Sequence, residues 1–126
     1  MSIQENAAVA RQVTDAFERA DMQQVDRLLA DDVVWHEIGR AEPRRGKAAL
    51  RAAAPGSGQV DYEITATAHD ILASEDHAVV LVNATGMRGG RTLSYRTAEI
   101  YHIRDGKVAE RWAFSDDTAA IAAFFG

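Results

Sequence analysis

Residues 101–117 read YHIRDGKVAERWAFSDD. Asp105-Gly106 is a hairpin signal, because a two-residue turn needs left-handed backbone at its centre and Asp-Gly supplies it. The runs on either side, TLSYRTAEIYHIR (92–104) and VAERWAFS (108–115), are rich in β-branched and aromatic residues and predict two antiparallel strands. After them, Asp116 or Asp117 is available as the N-cap of a short helix over TAAIAAFFG (118–126).

Working outward, HAVVLVNATGM (77–87) and VDYEITATAHDILAS (60–74) predict two more strands, and GMRGGR (86–91) holds turn glycines. APGSGQ (54–59) is a loop by composition. GKAALRAAA (46–54) reads as a short helix, and VVWHEI (33–38) as a short strand. Near the N-terminus, Val9, Val13 and Phe17 recur at i, i+4, the spacing of one helix face. Ser2 followed three later by Glu5 forms a capping box, and Asp21 opens a second helix carrying Met22, Val25, Leu28 and Leu29. Helices followed by a run of strands give an α+β class. The expected architecture is a cone: a strongly curved antiparallel sheet with the N-terminal helices packed on its concave face.

The 126 residues suit one domain, 1–126, large enough for a real core. A net charge of −5 argues against nucleic acid and anionic membrane as partners. The absence of cysteine excludes disulfides and thiol nucleophiles. No apolar run reaches the ~20 residues of a membrane span, and the opening residues carry no apolar signal core, so a cytoplasmic location is expected. No phosphate-loop, dinucleotide or zinc-protease motif is present, so no cofactor or metal is expected.

The order of elements, with LLADDVVWHEIG (28–39), RGKAAL (45–50) and the 101–117 stretch, resembles the nuclear transport factor 2-like superfamily and its SnoaL-like polyketide cyclase branch. Ala30-Asp31-Asp32 and Glu42-Pro43-Arg44 are similarly spaced in ketosteroid isomerases. That resemblance implies that Glu37 stands where the family keeps its general base. It places Glu99 where the family keeps a protonated acid that stabilises an enolate, and Val13 where it keeps an oxyanion tyrosine. Limonene epoxide hydrolases are a second comparison: Trp35 and Glu37 take places similar to their water-positioning pair, and Asp116 is similar in place to a late aspartate. Both families imply a small hydrophobic ligand held in the cone. The superfamily also implies a homodimer, and the outer sheet face, with Ala98 and Ile100, would be its contact.

Strand parity sorts the candidates. Trp35 and Glu37 share one face, with His36 on the other. Tyr95, Thr97, Glu99, Tyr101 and Ile103 share a face that suits a pocket. In the last strand Trp112, Phe114 and Asp116 fall together. Glu37 and Glu99 are therefore the candidate catalytic residues, and Val13, Phe17, Trp35, Tyr95, Tyr101, Trp112, Phe114 and Asp116 the candidate ligand contacts. Each has a plainer reading beside it. Glu37 can pair with Arg40 or Arg44, Glu99 with Arg111, Asp116 can cap a helix, and His36 can be a packing residue. Arg40, Arg44, Arg45 and Lys47 read as a solvated loop. Three functions stay open. One is a cofactor-independent acid–base enzyme of isomerase, cyclase, dehydratase or epoxide hydrolase type. The second is a non-catalytic module that binds a small hydrophobic metabolite. The third is a protein-association domain, as the superfamily resemblance implies.

Overall fold

A computed structural model describes residues 2–53 and 60–126. The predicted APGSGQ loop lies outside the described residues. Two helices, α1 (Ile3–Glu18) and α2 (Met22–Leu28), lead into β1 (Leu29–Trp35). A two-residue strand, β2 (Arg44–Arg45), and α3 (Lys47–Ala53) follow. The long strands are β3 (Glu63–Ala73), β4 (His77–Arg88), β5 (Arg91–Arg104) and β6 (Lys107–Ser115), and α4 (Thr118–Phe125) comes last. The six strands form one sheet in the order β2-β1-β6-β5-β4-β3.

Local chemistry explains the boundaries. Ser2 and Glu5 cap α1 reciprocally, each side chain accepting the other's backbone N–H at 3.1 Å. Asp21 caps α2 through Gln24 N. Asp105 and Gly106 both sit at positive φ, 54° and 76°, the backbone that closes the β5–β6 hairpin. Asp117 is the N-cap of α4, accepting from Ala120 N at 3.0 Å, whereas the Asp116 carboxylate accepts from Arg96 N.

Two strand expectations need correction. The sheet is not antiparallel throughout: β1 runs parallel to β6, because α3 and the remaining strands carry the chain around the sheet before it returns beside β1. Arg44–Arg45 is not loop but a short edge strand against Val34 and Trp35. Register shifts in β3 at Ala68/Asp70 and at His102/Ile103 between β5 and β6 mark bulges, which bend a sheet.

The core fills the concave side. Val9, Ala10, Val13 and Ala16 of α1 meet Ala78, Val80 and Val82 of β4, with Val33, Trp35, Tyr101 and Val108 closing around them. Asn6, fully buried, ties α1 to the β3–β4 turn, its Nδ2 donating to the carbonyls of Ser74 and Glu75 at 3.0 and 2.7 Å.

Candidate ligand site

β5 and β6 set the site through their register. Glu99 opposes Ala113 and Tyr101 opposes Arg111, so Glu99, Tyr101 and Arg111 share the concave face. Glu99 is held there by four contacts. Arg111 reaches Oε1 with Nε at 3.2 Å and Nη2 at 3.0 Å. Thr97 Oγ1 donates to Oε2 at 3.2 Å, and the Tyr101 hydroxyl to Oε1 at 3.5 Å. The third Arg111 nitrogen, Nη1, donates to the His36 carbonyl at 2.9 Å. Glu99 and Arg111 are only 16% and 12% exposed, so charge and counter-charge are buried together. Of the two readings open for Glu99, the geometry is that of the ion pair.

Rings surround this pair. The Arg111 guanidinium carbon sits 4.7 Å from the centre of the Trp35 ring, a cation–π arrangement. Trp35 also leans on Phe17 and Tyr101, at 5.9 and 6.4 Å between centroids. Tyr95 lies on the same face of β5, one position beyond Thr97 in the face row. Val13 contributes no ligand surface: it is fully buried between α1 and the sheet.

Glu37 follows the end of β1 and is 27% exposed. Arg44 on β2 donates to its Oε1 at 2.6 Å, and Arg40 Nε stands 3.8 Å from its Oε2. It is paired with two of the arginines expected to be solvated.

Trp112, Phe114 and Asp116 do not line the concave face. Pairing of Ile100 with Trp112 and of Ala98 with Phe114 turns all three outward. Parity showed that they share a face but not which, since that depends on the register with β5. Phe114 is 61% exposed, and Asp116 pairs with Arg96. His36 also faces outward, stacked on Trp112 with centroids 5.6 Å apart and bonded to Glu110 at 2.6 Å.

Burial acts on every tyrosine of the chain, Tyr62, Tyr95 and Tyr101. Desolvation raises the Tyr95 hydroxyl to about 12, with the Glu99 carboxylate adding to it. Desolvation, then Glu99, pushes Tyr101 higher still. Tyr62 is raised by burial and by Glu37. Between the ordinary value of about 10 and these raised values, the unfolded chain has lost protons that the folded one keeps. Stability therefore falls as pH climbs above ~10. Absorbance at 295 nm should stay nearly flat through that pH and then rise together with the loss of far-UV circular dichroism. A stepwise rise centred near 10 in folded protein would contradict this.

Sequence reading placed α4 as a short capped helix but did not bring it to the site. Its Phe125 meets Tyr62 and Tyr95 edge-on, at 4.8 and 6.0 Å. The available signal was the apolar IAAFF run after the cap. Two surface cavities lie away from both carboxylates. One, of about 530 Å³, is an open groove bordered by Thr67, Asn83, Ser94 and Arg96. The other, of about 470 Å³, adjoins Tyr62, Met87 and Arg88. Among the described residues no cluster of His, Asp and Glu is placed to hold a metal ion, and no helix is long and apolar enough to cross a membrane.

A curved mixed sheet with helices on its concave side is the fold shared with nuclear transport factor 2-like structures. The SnoaL-like domain family model matches residues 9–111, and the chain belongs to that family. Bal32a from a soil-derived mobile gene cassette is similar at 23% identity and a TM-score of 0.84, covering 98% of each chain. A Xanthomonas campestris protein of unknown function with a cystatin-like fold is 26% identical, with a TM-score of 0.82 over 100% of this chain and 99% of that one. An LEH-like epoxide hydrolase from M. tuberculosis aligns at 18% identity and a TM-score of 0.72, over 90% of this chain and 84% of that one. The fold is also shared by candidate ketosteroid isomerase and polyketide cyclase structures. No protein of curated function matches the sequence.

Proposed function

We propose that this protein binds a small hydrophobic molecule on the aromatic concave face without transforming it. The observation that carries this reading is the Glu99 carboxylate. It accepts from Arg111, Thr97 and Tyr101 at once, so its oxygens are engaged by the protein's own donors rather than turned to a developing oxyanion, the part a second acid plays in an isomerase-like mechanism. Glu37 and Arg44 would serve as a polar anchor at the mouth, as pockets of this kind hold a few placed polar groups in an apolar wall.

An acid–base enzyme is the second reading, favoured by the position of Glu37. It is partly buried beside Tyr62, and a single carboxylate base with a water or tyrosine as proton partner would suffice for dehydration or epoxide opening. Relatives that share the fold include isomerases, cyclases and epoxide hydrolases. The test is to extract the small molecule that copurifies with the protein and return it to fresh protein. Binding alone expects it to be recovered unchanged, with Glu37→Gln keeping affinity within about threefold. Conversion that stops in Glu37→Gln would overturn the binding reading and install Glu37 as the base.

A second copy of the chain is the proposed partner, through the outer sheet face. Charges on that face are partly matched within it, Arg96 with Asp116 and Arg104 with Asp32, and the His36 ring is bonded to Glu110. Phe114→Asp should convert a dimer to a monomer in light scattering. A dimer that persists would move the interface elsewhere.

A further inference from the structure

α4 occupies the end of the concave face opposite the first turn of α1, and the rest of the chain is cut to receive it. Gly39, at φ +84°, lies so close that a Cβ there would fall 2.9 Å from the Ala122 Cβ. A Cβ on Gly86, which faces inward beyond Ala84, would fall 2.5 Å from the Phe125 ring. Two glycines thus form the seat of one helix. Ile121 and Phe124 of the helix are buried, while Ala119 and Ala123 are exposed.

The Phe125 ring is the part that enters. Tyr62, Tyr95 and Phe124 stand around it at 4.8, 6.0 and 5.0 Å, with interplanar angles of 68°, 78° and 77°. Tyr62 and Tyr95, the two of these rings that remain when α4 leaves, form an edge-to-face box matched to a flat aromatic guest, because the electron-poor edge of one ring meets the electron-rich face of another. Tyr95 joins the box to the strand that carries Glu99. Tyr62, whose phenol feels the Glu37 carboxylate, also borders the 470 Å³ cavity. Arg88 fastens the helix at its last turn, its Nη1 donating to the carbonyls of Phe124 and Gly126 at 2.9 and 3.0 Å, and the Arg91 guanidinium lies over the Phe124 ring.

We propose that Phe125 is a plug from the chain itself, standing in the place of a planar aromatic ring of the ligand, and that α4 must leave its glycine seat before the ligand can enter. The proposal rests on the reading of the concave face as a binding site and adds its ligand class. Displacement replaces one ring by another in the same box. The helix gives up the Arg88 fastening and the Ile121 and Phe124 contacts, so the resting protein binds weakly and a loosened α4 binds tightly.

The probe is 2-naphthol, titrated by calorimetry into wild type, Phe125→Ala and Arg88→Met, with cyclohexanol as the non-aromatic control and circular dichroism to verify folding. Both variants should bind 2-naphthol at least about tenfold more tightly than wild type, with little gain for cyclohexanol. Arg88→Met removes the fastening, and the Arg88–Asp61 ion pair with it, while keeping both tyrosines, and decides the matter should Phe125→Ala fail to fold. Unchanged 2-naphthol affinity in the folded variants overturns the plug. An equal gain for cyclohexanol overturns the aromatic ligand class. If wild type copurifies with no small molecule while Phe125→Ala takes up 2-naphthol, the plug stands and the resting protein is not a constitutive binder.

Discussion

Arg111→Ala should cost about 3–5 kcal/mol in urea denaturation, the range for removing one partner of a buried ion pair. The guanidinium satisfies Glu99 with two nitrogens, the His36 carbonyl with the third, and covers the Trp35 ring. Alanine removes all of these at once and leaves a negative charge, 16% exposed, with only two hydroxyl donors. Replacing both partners is a different experiment. Glu99→Gln with Arg111→Met fills similar volume without charge, and such pairs are often neutral or stabilising relative to the ionic original. The double variant should therefore recover most of the loss. If Arg111→Ala lowers stability by less than about 1 kcal/mol, the pair is solvated rather than buried.

Trp35→Ala should cost about 3–5 kcal/mol, as large aromatic truncations in cores do. The ring is 8% exposed and fills the space between Phe17, Tyr101 and the Arg111 guanidinium. Its loss opens a void that neither α1 nor β5 can close without moving the buried Val13 and Tyr101. Trp35→Phe keeps one ring in place and should lose roughly half as much. Because Trp35 and Arg111 touch, the two substitutions should not add. A double-mutant cycle should return a coupling of about 0.5–2 kcal/mol, the range of a desolvated cation–π contact. Additive losses would show that the guanidinium merely lies near the ring.

Much of the fold is written locally. Asp105-Gly106, the Ser2–Glu5 box and the Asp21 cap each specify their own geometry within four residues, and all three are seen as read. The alternation along β5 likewise sorts Tyr95, Thr97, Glu99 and Tyr101 onto one face without outside help. What lies between elements is less legible. Parity cannot say which set of β6 faces inward, and the register with β5 turns Trp112 and Phe114 out and Arg111 in. That same register decides between the two readings of Glu99. The parallel pairing of β1 with β6 leaves no local mark at all. The seating of α4 is half-written: Gly39, Gly86 and the IAAFF run are visible, but only the folded chain shows that they meet.

The β1–β6 pairing also orders the assembly of the molecule. Leu29 is matched to Val108 and Trp35 to Arg111, across nearly eighty positions of sequence. β4 and β5, by contrast, are joined by two residues and pair along their whole length. Closing a long loop costs more entropy than closing a short one, so contacts of this range form late. The meander from β3 to β6 is then the nucleus, and β1 docks afterwards, delivering Trp35 and the residue after His36 to a surface already built. During synthesis the first helices and β1 wait for the last strand to emerge. The edge of β6 that receives β1 is the one most exposed to mispairing in that interval.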